Sequence, residues 1–188
     1  MATLNAFYVR AATDDAVIAA AIRAKFGHAK VQSGTPFWGV ILSDDEYVAP
    51  ERDLMELSSR LKTDVLWLAF QSVVDAFQFH HWRAGEHLRS LVYGVMSQGT
   101  WERAEGTPEP WEREVFFDPR ELKELLEGMD ECLESEDEKR ETERIWRDAE
   151  IRPGQAEPSL IARESARKVA KYFHLPGWGP PSLLKPRA

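Results

Sequence analysis

An unbroken apolar run at positions 65–70 constrains the fold more than any other stretch of this sequence. The run is too short to cross a bilayer, which takes about 18 apolar residues, and it predicts a strand buried on both faces. Residues 73–82 and 86–95 follow as two further predicted strands. Between them, Trp82-Arg83-Ala84-Gly85 predicts a hairpin, because glycine in the fourth place suits a type I turn with a left-handed bulge residue. This part of the chain is therefore expected to build an antiparallel sheet.

The residues before this run alternate between strand and helix patterns. Thr13 and Pro50 are typical helix starts, and each is followed by apolar residues at helical spacing. Strands are predicted at residues 7–11, 29–32 and 37–42. Together with the apolar run, the order is β-α-β-β-α-β, which resembles the ferredoxin-like arrangement of two helices on one face of an antiparallel sheet. The resemblance concerns the fold alone and implies no function.

The second half of the chain predicts helices. Asp118-Pro119 is a helix start, with Asp as the N-cap and Pro in the first turn, and acidic residues dominate from there to Pro153-Gly154. A last amphipathic helix is predicted over residues 159–173. We therefore predict an α+β fold: an antiparallel sheet with a ferredoxin-like start, extended by a β-meander, and two C-terminal helices. The parts of this single structural unit are the sheet domain (1–118), an acidic helix packed on it or projecting from it (119–152), and a C-terminal helix with a Pro/Gly-rich tail (153–188).

Charge and composition narrow the possible functions. The chain has 188 residues, a formal net charge of -8 and no basic stripe, which argues against nucleic acid and against an anionic membrane surface as partners. It has one cysteine, and its first residues lack the basic and apolar regions of a signal peptide, so we expect a soluble, cytoplasmic protein. The sequence contains no phosphate-binding glycine loop, no zinc-type ligand spacing and no nucleophile elbow, and no cofactor is predicted.

The histidines of the hairpin form the first candidate site. With the turn described above, His81 faces His87 and Arg89 lies on the same face, whereas a two-residue loop would pair His81 with Leu88. Two facing imidazoles favour a shared zinc or nickel ion. A metal site needs at least a third ligand, however, and Arg89 would oppose a cation. The alternative is a polar strand face with exposed histidines.

Asp75 is the fourth candidate catalytic residue, beside His81, His87 and Arg89. It lies between Val74 and Ala76 in a predicted strand, and a carboxylate in apolar company often has a shifted pKa. The alternative is an edge or bulge position that is open to water.

The most distinctive local feature is a Trp-Glu-Arg triplet that occurs at residues 101–103 and again at 111–113. Trp and Arg are enriched at binding hot spots, so the candidate binding residues are Trp101, Arg103, Trp111 and Arg113. The alternative is that both triplets are strand ends bracketing one loop, in which Trp packs and Glu pairs with Arg. Residues 115–117 would then close the sheet.

Two functional hypotheses follow. The first is a non-enzymatic interaction module of the adaptor, inhibitor or immunity-protein type, in which the acidic helix attracts a basic protein through Glu134, Glu136, Asp137 and Glu138. The same carboxylates also suit a solvated helix face with i,i+4 ion pairs, and the helix is compatible with a homodimer. The alternative function is a small enzyme or ligand-binding domain with a polar pocket on the 73–95 hairpin.

Overall fold

The computed structural model describes residues 3–27, 29–42, 50–96, 99–131, 135–157 and 160–178. Its strands are β1 (Thr3–Arg10), β2 (Lys30–Gln32), β3 (Phe37–Ile41), β4 (Asp64–Gln71), β5 (Ala76–Arg83), β6 (Glu86–Tyr93) and β7 (Trp101–Gly106). They form one sheet in the order β2-β3-β1-β4-β5-β6-β7, and all neighbouring strands are antiparallel. The predicted α+β fold with an antiparallel sheet is confirmed.

Helices cover both faces of this sheet. They are α1 (Asp15–Lys25), α2 (Glu51–Leu61), α3 (Pro110–Phe116), α4 (Pro119–Glu131), α5 (Glu136–Asp148) and α6 (Ala162–Tyr172). The buried residues of α1 and α2 belong to one hydrophobic cluster, and those of α3 and α6 belong to another. We call the two sides of the sheet the α1 face and the α6 face. None of the helices in the described ranges is long and apolar enough to cross a bilayer.

Strand β4 lies at the centre of the sheet and is buried on both sides, as its composition predicts. Leu66, Leu68 and Phe70 join the cluster on the α6 face. Val65, Trp67 and Ala69 join the cluster on the α1 face. This division follows from the alternation of side chains along a strand.

The hairpin of β5 and β6 is present, but neither predicted register is correct. Arg83 pairs with Glu86, so the loop consists of Ala84 and Gly85, both with positive φ. Trp82 pairs with His87 in the same register, and the register then shifts by one residue, so that His81 pairs with Arg89 instead of Leu88. The predicted type I turn assigns the left-handed conformation to Gly85 alone, whereas Ala84 adopts it as well, at φ 51°.

The second Trp-Glu-Arg triplet is helical, which overturns the prediction that both copies end strands. Trp101 begins β7, but Trp111 lies on α3. Residues 115–117 therefore do not close the sheet. Glu109 precedes Pro110, the first residue of α3, which is the same helix-start pattern that Asp118-Pro119 provides for α4.

The single acidic helix predicted for residues 119–152 is two helices, α4 and α5, so more than two helices follow the sheet. Ser135 caps α5: its hydroxyl accepts a hydrogen bond from the backbone N–H of Glu138 at 3.3 Å, and the Glu138 carboxylate accepts one from the backbone N–H of Ser135 at 2.8 Å. This reciprocal arrangement is a capping box, and the spacing Ser-x-x-Glu signals a helix start rather than a helix interior.

Candidate ligand-binding site

A cavity of about 670 Å³ opens at one end of the α6 face. The arginine, histidine and glutamate side chains that line it are Arg10, His81, Arg83, His87, Glu109 and His174. Arg10 ends β1, while His81 and Arg83 lie two residues apart near the end of β5 and therefore point to the same face. The loop 106–109 and the C-terminal end of α6 close the cavity, with Phe37, Trp111 and Phe173 as apolar walls.

His81 is held between two carboxylates in the floor of this cavity. Its Nδ1 lies 2.5 Å from Glu109 Oε1 and its Nε2 lies 3.0 Å from Asp64 Oδ1, while the side chain is 4% exposed. Ionised carboxylates only accept hydrogen bonds, so both ring nitrogens donate and the ring is an imidazolium. Burial alone would lower the pKa of His81, but the hydrogen bonds to Asp64 and Glu109 outweigh it and raise the pKa above its ordinary value.

Asp64 is the point where three positive groups meet. Its carboxylate forms ion pairs with Arg10 Nε at 2.7 Å and Arg83 Nε at 2.7 Å, in addition to His81. Burial raises the pKa of Asp64, but the hydrogen bonds from His81 and Arg83 bring it well below its ordinary value. Asp64 is therefore a stable anion that fixes the positions of both arginines.

Glu109 is fixed by the start of α3. Its Oε2 accepts a hydrogen bond from the indole nitrogen of Trp111 at 2.7 Å, and its backbone N–H donates to Glu112 Oε1 at 2.7 Å. Both carboxylate oxygens of Glu109 are thus occupied, one by Trp111 and the other by His81. The helix start that sequence reasoning missed is what places this carboxylate against the sheet.

A buried ion pair holds the loop that carries Glu109. Arg89 donates from Nε and Nη2 to the two carboxylate oxygens of Glu112 at 2.9 and 2.7 Å, and the two side chains are only 1% and 2% exposed. Its Nη1 also donates to the carbonyl oxygens of Glu105 and Gly106. Gly106 has φ 86°, and a Cβ there would lie 2.0 Å from the carbonyl oxygen of Leu88, so only glycine fits this approach. Arg89 is thus a structural support of the cavity.

The predicted pair of His81 and His87 does not exist. His87 lines the cavity, but its Nε2 lies 2.6 Å from Ser90 Oγ, and the same hydroxyl lies 2.8 Å from Nδ1 of His80. The register that would place the two imidazoles opposite each other is wrong. The two histidines are therefore not positioned to share a metal ion. Across the described ranges, no group of three or more His, Cys, Asp or Glu side chains is arranged to hold a metal ion.

Asp75 lies away from the cavity. It sits in the turn that joins β4 to β5, at the opposite end of β5 from His81, and its φ of 49° is left-handed. The prediction of a carboxylate within a strand is therefore wrong, because the strand begins one residue later, at Ala76.

The Trp-Glu-Arg residues are not brought together on one surface. Trp101 and Trp111 are both 1% exposed and both contact Phe116, with ring centroids 5.3 and 5.9 Å apart. Arg103 forms an ion pair with Glu51 of α2 at 3.2 Å. Arg113 is exposed on α3. The two indoles are therefore core residues in this fold.

The acidic candidates lie on the first turn of α5. Glu136 pairs with Lys139 at 3.0 Å, Asp137 pairs with Arg140 at 3.5 Å, and Glu138 belongs to the capping box. The i,i+4 pairing predicted for this helix occurs between Arg144 and Asp148 at 3.1 Å, whereas Glu136 and Asp137 pair with the residues at i+3. Glu134 lies outside the described residues.

Comparison with protein-family models, with curated proteins and with solved structures found no match to this chain.

Proposed function

We propose that this protein binds a small molecule in the cavity at the end of the α6 face. The cavity falls within the range of about 300–1,000 Å³ that is typical of small-molecule sites. It combines apolar walls with a small number of fixed polar groups, which is the usual composition of such sites. The observation that carries the proposal is the interlocked network of Arg10, Asp64, His81, Arg83 and Glu109 in and around its floor.

Binding accounts for this network better than acid–base catalysis does. A general acid or base needs an atom within hydrogen-bond reach of the substrate. Both nitrogens of His81 and both carboxylate oxygens of Glu109 are occupied by protein partners, and Asp64 neutralises cations on both of its oxygens. Groups held in this way are preorganised, which lowers the entropy lost when a ligand is ordered against them.

A blocking substitution tests this proposal. Thr107 is exposed and lines the cavity, so Thr107→Trp should fill part of the volume without removing a partner from the charge network. Fragments that raise the Tm of the wild type in a saturable manner are expected to lose that effect in Thr107→Trp by at least about tenfold in Kd, or about 1.4 kcal/mol. The measurement is ligand-dependent thermal shift, confirmed by isothermal titration calorimetry.

The matched control is Thr142→Trp, which adds the same side chain on α5 and away from the cavity. It should leave ligand binding at the wild-type level. Fragments that bind Thr107→Trp as tightly as the wild type would place their site elsewhere and contradict the proposal, provided the free variant melts normally.

A protein interaction through α5 is the second candidate function. The side chains of Glu136 and Asp137 are 75% and 94% exposed, and exposed ion pairs contribute about 1 kcal/mol or less. A basic partner would therefore displace their helical partners at little cost. Glu138 is a poor test residue, because its loss would also remove the capping box.

The prediction for this candidate concerns Glu136→Lys/Asp137→Lys. Capture of a basic partner from the source-cell lysate at low salt is expected to fall at least about tenfold in this variant, because like charges then meet across the interface. The control is Glu124→Lys/Glu127→Lys on α4, which changes the net charge equally at exposed positions. Equal capture by both variants and the wild type would remove the first turn of α5 from the interaction.

A further inference from the structure

The charges around the cavity are opposite in sign to those of the chain as a whole. The chain carries a formal net charge of -8. Among the residues that the structure describes at the cavity, the cations Arg10, His81 and Arg83 face two carboxylates, those of Asp64 and Glu109. This leaves one positive charge in excess. A cavity with low-dielectric walls concentrates such a field on whatever enters it.

The two arginines approach one carboxylate from either side. β1 and β5 flank β4 in the sheet, so Arg10 and Arg83 reach Asp64 from opposite neighbouring strands. Arg10 Nε pairs with Oδ2 and Arg83 Nε pairs with Oδ1. Asp64 therefore holds both guanidinium groups at the same place, and Arg10 is further fixed over the ring of Phe37 at 5.0 Å.

The terminal nitrogens of both arginines are available. Each guanidinium uses Nε for Asp64, and within the described part of the chain neither has a protein acceptor for its Nη atoms. The side chains of Arg10 and Arg83 are 44% and 60% exposed, and both line the cavity. Guanidinium groups present N–H donors in a fork that matches the oxygen spacing of carboxylates and phosphates.

We propose that the ligand of this cavity is an organic oxyanion, a carboxylate or a phosphate on an apolar body, held by the Nη atoms of Arg10 and Arg83. This inference rests on the proposed function and names its ligand class. The apolar body packs against Phe173, which lines the cavity beside the arginines and is partly exposed. Phe173 is held in place by ring contacts with Phe79 at 5.9 Å and Trp111 at 5.8 Å, so this wall is fixed before the ligand arrives.

Benzoate, benzamide and benzamidine share one shape and separate the charge of the ligand from its size, and phenyl phosphate adds the second kind of oxyanion. Benzoate and phenyl phosphate carry the two kinds of oxyanion, benzamide is neutral and benzamidine is cationic. Binding of each to the full chain is measured by titration calorimetry and by ligand-observed NMR. We expect one or both anions to bind at least about tenfold more tightly than benzamide, benzamidine to bind most weakly, and anion affinity to fall as salt rises. The stronger of the two anions tells a carboxylate ligand from a phosphate ligand.

Substitution of the arginines completes the test. Arg10→Gln and Arg83→Gln should each weaken anion binding about tenfold or more and leave benzamide binding unchanged. Arg113→Gln, which removes an exposed arginine outside the cavity, should change neither. Circular dichroism and the Tm of each variant establish that it is folded, and Arg83→Lys serves as a second variant that keeps the charge but loses the fork.

The possible failures are distinguishable. Equal affinity of benzamide and the anions, or anion binding that survives both Arg→Gln variants, overturns the oxyanion inference. If those probes are nevertheless blocked by Thr107→Trp, the small-molecule function stands and only the ligand class is wrong. If none of the four probes binds, the oxyanion inference is overturned, and the small-molecule function then depends on the fragment screen.

Discussion

Replacing Glu112 with glutamine is expected to lower the free energy of unfolding by about 3–5 kcal/mol, the usual cost of removing one partner from a buried ion pair. The carboxylate of Glu112 receives two hydrogen bonds from Arg89, and both side chains are almost fully buried. Glutamine keeps the shape but leaves the guanidinium with no charge to balance it. The measurement is urea unfolding at neutral pH, followed by tryptophan fluorescence.

Two further variants serve as controls for the destabilisation expected of Glu112→Gln. Glu164→Gln breaks an Arg–Glu pair that is about half exposed on both sides, so a change of about 1 kcal/mol or less is expected. Arg89→Met/Glu112→Leu removes both charges and should recover part of the loss, because no unpaired ion remains. Recovery stays incomplete because the carbonyls of Glu105 and Gly106 lose their donor. If Glu112→Gln costs no more than Glu164→Gln, water reaches Arg89 and the pair does not support the loop.

The sheet was predictable because its signals are local. The apolar run of β4 and the glycine-containing turn before β6 each specify a strand or a hairpin within about ten residues. The hairpin register was not predictable, because it depends on two backbone conformations for which the sequence contains no local signal. Ala84 adopts a left-handed φ normally left to glycine, and Leu88 remains unpaired where the register shifts.

The candidate site was predictable only in part, because most of its contacts are non-local. His81 and the hairpin were singled out, but Arg10, Asp64 and Glu109 were not. Charged residues are seldom fully buried, so Asp64 beside an apolar run is more simply explained as the polar end of a strand. One local signal was available: Pro110 suits the first position of a helix, and recognising that start would have placed the carboxylate of Glu109 directly before α3.

The adjacent histidines His80 and His81 have opposite pKa shifts because their side chains lie on opposite faces of the sheet. His80 and His81 are neighbours in β5, so they point to opposite faces of the sheet. On the α6 face His81 meets two carboxylates, and its pKa is raised. On the α1 face His80 lies between the rings of Trp67 and Trp82, at centroid distances of 4.7 and 5.7 Å. Burial, with smaller contributions from the charges of Arg103 and His87, lowers the pKa of His80 to about 3.

As the pH falls, protonation of His80 in the unfolded chain is expected to lower the free energy of unfolding. Replacing His80 with phenylalanine should make this decrease smaller. His80 is neutral in the fold until the pH approaches 3, whereas in the unfolded chain it takes up a proton near pH 6.5. Protons therefore favour the unfolded state between these values: the stability linked to His80 is intact above pH 6.5 and is lost as the pH falls toward 3. At 1.36 kcal/mol per pKa unit, the loss reaches about 4–5 kcal/mol at the acidic end.

The test compares the pH dependence of urea unfolding from pH 7 to pH 3.5 in the wild type and in His80→Phe. Phenylalanine keeps an aromatic ring between the two tryptophans, and Ser90 keeps its hydrogen bond to His87, so the variant should remain folded. Protonation of carboxylates such as Asp64 lowers the free energy of unfolding in both proteins. The difference between the two curves therefore gives the contribution of His80 alone. If His80→Phe runs parallel to the wild type, the imidazole of His80 is protonated as easily in the fold as in the unfolded chain, and its burial against the tryptophans does not exclude the charge.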